Sequence, residues 1–295
     1  GNARPIPQVR AGFIDFVDIP FTKGWVQIKG ELAYGKFMDN DFLRDHYNYY
    51  NQYITTDALY HHKSISFRSN PDKPFVVTIG AELAAQFGGT KRYYKEGVLI
   101  DSLTMKSPTR LKDFFKILFP SSGDGQTNEG DQAYYYGNHV GQWNLSAEYR
   151  FKDNSSVRGY LEWYYDDASG MGKFNGWDGL WGLEYKSGKK NWLSNVVLEY
   201  LDMTNQSGPL NWCPSDYNDP KLDIEATGAD DYYNNYFYNG WAHYGLSNGT
   251  AMAKSLLYNT DGYMRYKHNR IRGVHLGASG YIAPEWKYKI LPYIC

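Results

Sequence analysis

Long hydrophobic runs are absent from this chain of 295 residues. A membrane-spanning helix needs about 20 consecutive apolar residues, so transmembrane helices are excluded. Cysteine is scarce as well, because Cys213 and Cys295 are too few for a disulfide scaffold or for a zinc site with two cysteine pairs. The charges nearly cancel, with 31 Lys plus Arg against 32 Asp plus Glu, which removes the electrostatic case for nucleic acid as a partner.

Aromatic residues, by contrast, are abundant. They make up 18% of the chain and include 29 Tyr, yet the mean hydropathy is only -0.62. A chain that is aromatic and polar at once suits strands with apolar residues at alternate positions. Transmembrane β-strands have this pattern, and an average over the whole chain does not reveal it.

Strict alternation runs through four segments, 25–36, 74–87, 143–152 and 157–166. Shorter matches occur at 9–17, 60–68, 179–186, 193–202, 269–281 and 285–294. The usual strand of a globular protein has about 5 to 6 residues, whereas a tilted membrane-spanning strand needs about 9 to 11. The longer predicted strands therefore favour an all-β fold, an antiparallel transmembrane β-barrel with about 10 to 12 strands in this chain. The alternative is a soluble β-sandwich or open barrel, whose strands alternate in the same way.

Charged residues recur near the middle of the polar face of these strands. In a barrel they would face the lumen, where they can pair and stay hydrated. The residues predicted to face the lumen are Glu31, Glu82, Glu148, Arg150, Glu162, Glu184 and Glu199.

The connections between strands differ in length. Segments 151–157 and 186–192 are tight polar turns, whereas 202–250 is long and irregular, an asymmetry typical of outer-membrane barrels. One segment departs from the alternation: apolar residues at helical spacing predict a short helix near 109–119. No Gly-rich linker divides the chain, so residues 1–295 are interpreted as a single domain.

Candidate catalytic residues are few. Asp166 and Asp167, with Glu162 nearby, suggest a glycoside hydrolase, but nothing in the sequence fixes the separation of the two carboxylates that this chemistry requires. His61 and His62 are adjacent, and neighbours in a strand point to opposite faces, which disfavours a shared metal ion. We therefore predict no catalytic residue, no metal site and no cofactor.

The segment 211–244 is rich in Tyr and Trp interspersed with Asn and Asp. Sugars present an apolar face to aromatic rings and hydroxyl groups to amides and carboxylates, so this segment is predicted to bind a glycan. The candidate residues are Trp212, Asp216, Tyr217, Asn218, Tyr232, Tyr233, Asn235, Tyr236, Tyr238, Trp241 and Tyr244.

Several long blocks of the sequence resemble one family. EWYYDDASGMGKFNGWDGLWGLEY at 162–185, DYYNNYFYNGWAHYGLSNGT at 231–250 and HNRIRGVHLGASG at 268–280 look like signature blocks of the Wzi capsule-assembly family of Gram-negative outer membranes. GWVQIKGELAYGKFMDNDFLRDHYNYY at 24–50 and LYHHKSISFR at 59–68 are similar too, so the resemblance spans most of the chain. The resemblance implies a barrel of about 18 strands in the complete protein, more than the strands predicted here. An N-terminal portion and the last strands are then expected to lie outside this chain.

The function implied by the resemblance is a lectin-like one, in which the outer face of the barrel holds capsular polysaccharide on the cell. The predicted partners are surface polysaccharide, outer-membrane lipid and further subunits of an outer-membrane complex. The predicted location is the bacterial outer membrane, with the long loops on the extracellular side. Two alternatives stay open: a porin-like channel or subunit of a transport or secretion complex, and a soluble glycan-active enzyme that uses Asp166, Asp167 and Glu162.

Overall fold

The computed structural model describes residues 3–49, 51–133, 135–166, 177–206 and 231–294. Within this part of the chain, thirteen strands form one antiparallel sheet. Ten of them are paired in the order β1-β2-β3-β4-β7-β8-β9-β10-β13-β14, while β5 and β6 pair with β4, and β15 pairs with β13. A separate hairpin consists of β11 and β12. The prediction of an antiparallel β fold is thereby confirmed.

The strands are β1 Gln8–Asp18, β2 Val26–Lys36, β3 Gln52–Ser69, β4 Phe75–Lys95, β5 Val98–Leu99, β6 Met105–Lys106, β7 Asn138–Arg150, β8 Ser156–Asp166, β9 Gly179–Lys186, β10 Asn195–Asp202, β11 Ala242–His243, β12 Leu246–Ser247, β13 Arg272–Ala283, β14 Trp286–Ile290 and β15 Tyr293–Ile294. The helices are α1 Asn40–Tyr47, α2 Leu111–Leu118 and α3 Glu129–Ala133. The helix predicted near 109–119 is thus present as α2, whereas α1 and α3 were not predicted. Among the described residues, no helix is both long enough and apolar enough to cross a membrane.

Short and long connections lie at opposite ends of the sheet. Turns of two to eight residues join β1 to β2, β3 to β4, β7 to β8, β9 to β10 and β13 to β14 at one end. The other end, called here the loop end, carries the connections 37–51, 96–137, 167–178 and 203–271. The predicted asymmetry of the connections is therefore present in the fold.

The pairing register divides the side chains into two faces, because residues directly opposite each other point to the same side of a sheet. One row runs from Phe67 through Ile79, Leu145 and Leu161 to Trp181. We call this side the apolar face, and the opposite side the polar face. Many residues of the apolar face are exposed large hydrophobics: Phe13, Leu32, Ile65, Phe67, Phe75, Ile79, Tyr149, Trp181, Leu183, Leu198, Val274, Leu276 and Ile290.

Strands β3 and β4 extend well beyond the predicted segments toward the loop end. The predicted strand at 74–87 stops before a glycine pair, and Gly88 and Gly89 both have positive φ values, 66° and 78°. A Cβ on Gly89 would lie 2.7 Å from the carbonyl oxygen of Thr56, so a side chain there would collide with β3. The glycines let the strand continue to Lys95 at the cost of its simple alternation.

Two layers cover the loop end of the sheet. Residues 231–269, called here the insert, pack with α1 onto the polar face and form the larger core around Leu43, Tyr47, Tyr233, Trp241 and Tyr266. The helix α2 packs onto the apolar face, where Ile117 joins Ala85, Phe87 and Tyr136 in a second core.

Candidate functional site

The seven residues predicted to face a lumen all lie on the polar face. Glu31 and Glu82 are joined through Ser64, Glu148 and Glu184 through Arg158, and the alternating positions of β7, β8 and β10 place the rest on the same side. Within the described residues, one edge of the sheet is formed by β1 and the other by β14 and β15. The structure therefore shows that these side chains share one face of a sheet. Their exposure to an enclosed lumen stays a prediction.

Ion pairs and hydrogen bonds connect these polar side chains across strands. Glu31 pairs with Arg10, and His62 lies between two carboxylates, with Nδ1 3.3 Å from Glu31 and Nε2 3.9 Å from Glu82. Farther along, Arg158 lies 2.9 Å from Glu184, and His275 Nδ1 lies 2.7 Å from Glu199.

The two adjacent histidines have different environments. His62 is on the polar face, whereas His61 is fully buried on the apolar face, where its ring lies 4.4 Å from that of Tyr34. The expectation that they point to opposite sides is therefore confirmed. Among the described residues, no group of three or more His, Cys, Asp and Glu side chains is arranged to hold a metal ion.

The Thr55 backbone of β3 and the Gln86 side chain of β4 hold the insert in place. The Asn239 side chain pairs with β3 as a strand residue would: its Oδ1 accepts from the Thr55 N–H at 2.8 Å, and its Nδ2 donates to the Thr55 carbonyl. Gln86 of β4 donates to the carbonyl of Gly240 at 2.8 Å. These bonds join residues more than 150 positions apart in sequence, so they fix the insert against the sheet.

Beneath the insert, an inner cleft runs along the polar face. Two cavities of about 330 and 570 Å³ meet at Tyr164 and Thr250. Glu82 and Glu162 line the first cavity, and Glu199 lines the second. The walls of the inner cleft are therefore acidic on the side of the sheet.

A second cleft, the rim cleft, opens at the loop end and has a volume of about 350 Å³. Tyr236 is 66% exposed there, and its ring meets that of Tyr53 edge-on at 5.6 Å. The rim cleft is lined by Asn51, Gln52, Tyr53, Asp231, Asn234, Asn235, Tyr236, Tyr238, Tyr263, Met264 and Arg265.

Asp231 organises the polar side of the rim cleft. It pairs with Arg265 and accepts hydrogen bonds from the side-chain amides of Asn234 at 3.0 Å and Asn269 at 2.7 Å. Burial opposes its ionisation, but these hydrogen bonds outweigh burial and hold the pKa of the Asp231 carboxyl below its usual value. The rim cleft thus presents an ionised carboxylate, a guanidinium, amides and phenol rings within one small volume.

The predicted glycan-binding residues fall into three groups. Tyr232, Tyr233 and Trp241 are buried in the larger core, between the insert and the sheet. Tyr238 is buried too, but it belongs to the second group because it forms part of the wall of the rim cleft. Asn235, Tyr236 and Tyr238 line the rim cleft, while Tyr244 is half-buried and donates to the carbonyl of Met38. Trp212, Asp216, Tyr217 and Asn218 lie outside the described residues.

Of the residues that line the rim cleft, the sequence analysis predicts only Asn235, Tyr236 and Tyr238. Asn51 directly precedes β3, and Gln52 and Tyr53 are its first residues. Tyr263 and Arg265 come from the end of the insert. An amide-rich run next to a tyrosine at 51–53 is a weak local signal. Only folding brings it beside Tyr236.

The residues of the hydrolase alternative are partly described. Glu162 and Asp166 lie on the same face of β8, with Asp166 buried, and Asp167 lies outside the described residues. Tyr164 donates to Glu162 at 3.1 Å.

Comparison of this chain with protein-family models, with curated proteins and with solved structures finds no match.

Proposed function

We propose that this protein is a non-enzymatic outer-membrane β-barrel that binds surface polysaccharide through its loop end. The observation that carries the proposal is the rim cleft, because it combines an exposed tyrosine, several amides and a charged pair in an open cavity. Aromatic faces and amides are the groups that recognise sugar rings and their hydroxyls. The resemblance to the Wzi capsule-assembly family supports the same function and suggests capsular polysaccharide as the ligand.

The membrane part of the proposal is supported by the apolar face. Exposed Leu, Ile, Val or Phe side chains lie on the apolar face of β1, β2, β3, β4, β9, β10, β13 and β14. A large exposed apolar surface of this kind is typical of a membrane or protein contact. In the proposed barrel this face contacts lipid and the polar face lines the interior.

Aromatic residues at both ends of the apolar face support the same arrangement. Trp163 and Trp177 stack at 4.7 Å at the loop end, and Tyr149 and Phe151 meet at 5.0 Å at the opposite end. Amphipathic rings favour the two membrane–water interfaces.

Retention of a polymer would come from repetition. A cleft of about 350 Å³ accommodates only a short stretch of sugar, so each contact is weak. Many copies of the protein that engage many repeats of one chain hold it strongly, because each further contact forms within an already bound complex. No cofactor takes part.

The test compares capsule held on cells with capsule shed into the medium, in a strain that lacks the gene and in the complemented strain. We expect the same total polysaccharide, with more of it shed in the absence of the gene. Complementation with Tyr236→Ala should restore retention only in part. Tyr258→Ala is the matched control, because Tyr258 is similarly exposed but does not line the rim cleft. Equal retention with and without the gene would overturn the capsule function.

A porin-like channel is the second candidate function, and the acidic inner cleft favours it. Its test is the conductance of the reconstituted protein in a planar bilayer. Steady cation-selective current that falls in Glu162→Gln would support a channel. We expect no such current, because the insert covers the polar face at the loop end.

A further inference from the structure

The position of α2 is unusual for a loop helix. Instead of extending from the loop end, it lies against the apolar face of the sheet, with Ile117 and Phe114 packed on Phe87 and Ala85. Phe114 also meets the ring of Tyr34 at 5.4 Å and that of Phe87 at 5.2 Å. The helix therefore shares the side of the sheet on which the exposed hydrophobic residues lie.

Polar contacts cap both ends of α2, and the one at the C-terminus joins the helix to the sheet. At its N-terminus the Arg110 N–H donates to Asp113 at 2.7 Å, and the Arg110 guanidinium pairs with the same carboxylate at 2.8 Å. At its C-terminus the Lys63 ammonium, from β3, donates to the carbonyls of Ile117 and Leu118 at 2.6 Å each. A cation at this end also stabilises the helix dipole. The orientation of α2 is thus fixed.

This fixed orientation turns a hydrophobic stripe outward. Leu111, Phe115 and Phe119 follow each other at intervals of four residues and are 76%, 56% and 69% exposed. Leu111 and Phe115 therefore lie on one side of α2. Phe119 is the first residue after the helix and continues the stripe at its C-terminal end. The side of α2 that packs on the sheet is also apolar. The helix therefore has hydrophobic residues on both sides, and its outer side is exposed.

Basic residues flank the stripe. Arg110, Lys112 and Lys116 converge on one carboxylate, that of Asp124, at 2.9, 2.9 and 3.6 Å. Even with Asp113 counted, three cations face two carboxylates, so the cluster keeps a positive charge. An apolar stripe bordered by Lys and Arg is the pattern of helices that lie in the head-group region of anionic lipid.

We propose that α2 is a lateral membrane anchor, with Leu111, Phe115 and Phe119 in an anionic lipid leaflet and Lys112 and Lys116 at its head groups. This inference rests on the proposed outer-membrane location and deepens it. The apolar face continues the stripe on the same side of the molecule, so both surfaces enter the same lipid layer. The anchor fixes the height of the loop end above the membrane, and with it the height of the rim cleft.

The test uses the full chain, with Cys213 and Cys295 replaced by Ser, reconstituted in vesicles of phosphatidylcholine with phosphatidylglycerol. A single cysteine carries an environment-sensitive fluorophore, and nitroxide-labelled lipids report its depth. Phe115→Cys probes α2, and Leu198→Cys probes the apolar face. Asp101→Cys is the solvent control, since it is exposed in the connection that contains α2.

We expect a several-fold rise in fluorescence on reconstitution at Phe115→Cys and at Leu198→Cys, with no change at Asp101→Cys. A nitroxide near the head group should quench the Phe115 label best, and one near the chain end should quench the Leu198 label best. Lipid contact at Leu198 with water at Phe115 would overturn the anchor and leave the proposed barrel intact. Water at both positions would overturn both.

Two further outcomes are informative. Lipid contact at Phe115 alone would support the anchor and overturn the membrane-spanning sheet. A bright Phe115 label that no lipid nitroxide quenches would reveal contact with a second copy of the chain and overturn the anchor.

The anionic part of the proposal is tested by the double variant Lys112→Gln and Lys116→Gln. With Lys112 and Lys116 in place, the protein labelled at Phe115→Cys should fluoresce more in anionic than in phosphatidylcholine vesicles. The double variant should show no such difference. Equal fluorescence in both kinds of vesicle with the two lysines in place would refute the role of charge.

Discussion

The insert and α2 cover opposite faces of one sheet, and their burial reverses what their compositions suggest. The insert is rich in Tyr, Asn and Asp, yet its aromatic rings form the largest core of the molecule. The helix is rich in Leu and Phe, yet it leaves Leu111, Phe115 and Phe119 exposed. Hydrogen-bonding capacity explains the difference. Polar atoms such as the Asn239 amide find partners on the sheet, whereas the outer side of α2 has no protein layer above it among the described residues.

The first prediction concerns the core of the insert. Trp241→Ala should lower the free energy of unfolding by about 3–5 kcal/mol, because Trp241 is 3% exposed among Leu43, Tyr233 and Tyr266 and its removal leaves a cavity. Urea titration of the purified protein in detergent measures this. Trp286→Ala, at 71% exposure, is the control and should change stability by about 0.5 kcal/mol or less. Equal losses for both tryptophans would contradict the assignment of Trp241 to the core.

The second prediction tests the join between the insert and β3. Asn239→Ala leaves the buried N–H and carbonyl of Thr55 without their partner, which should cost about 2–4 kcal/mol. Asn239→Asp keeps the acceptor and loses the donor, so hydrogen exchange of the Thr55 amide should accelerate in the alanine variant and stay slow in the aspartate variant. Unchanged exchange in both would show that the insert does not depend on this pair.

The third prediction tests how α2 is held. Lys63→Met removes two charged hydrogen bonds to the end of α2, each of a kind that contributes about 1.5–3 kcal/mol. The helix should detach more often, and trypsin should cleave faster after Lys112 and Lys116 while the sheet stays intact. Lys289→Met, on β14, is the control and should leave the cleavage rate unchanged. A Lys63 variant with the protection of the parent would contradict the clamping role.

The fourth and smallest predicted effect depends on pH. Burial raises the pKa of Asp131, in α3, to about 6, although nearby Lys91 and the Gly137 N–H favour its ionised form. Between about pH 4 and pH 6 the folded state therefore holds a proton that the unfolded state releases. Protonation of Asp131 stabilises the folded state fully below this window. The free energy of unfolding then falls by about 2 kcal/mol as the pH rises through the window. Asp131→Asn should lack this loss. The check is the difference in urea midpoint between parent and variant at pH 4, 5 and 6, and a difference that does not change with pH would refute it.

Much of the sheet could be predicted from the sequence. β8 and β9 lie close to their predicted bounds because each is polar on one side and apolar on the other, and only period two separates the residues in that way. β7 was predicted for the same reason, but it begins at Asn138, before the predicted segment 143–152. The extensions of β3 and β4 were missed because the Gly88–Gly89 pair interrupts the alternation and their outer ends contact the insert. The helix α2 was predicted by its apolar spacing, but the same residues gave no sign that it would turn back onto the apolar face.

The candidate site was harder to predict. Asn235, Tyr236 and Tyr238 were recognised by composition, and the structure places them in the rim cleft. Tyr232, Tyr233 and Trp241 have the same composition around them but lie in the larger core and do not line the rim cleft. Residue type alone does not separate these groups, because a tyrosine ring can pack in a hydrophobic core or stack on a sugar equally well.

The sequence by itself determined most of the long strands of the sheet and the division of their residues between two faces. The physical reason is local, because alternation sorts side chains without reference to any distant residue. Only the tertiary structure decided which aromatics are buried, that Tyr53 meets Tyr236, and that Lys63 caps α2 across 54 positions of the chain. Those contacts depend on which loop folds over which face, and that choice is made by packing and hydrogen bonding between segments far apart in the sequence.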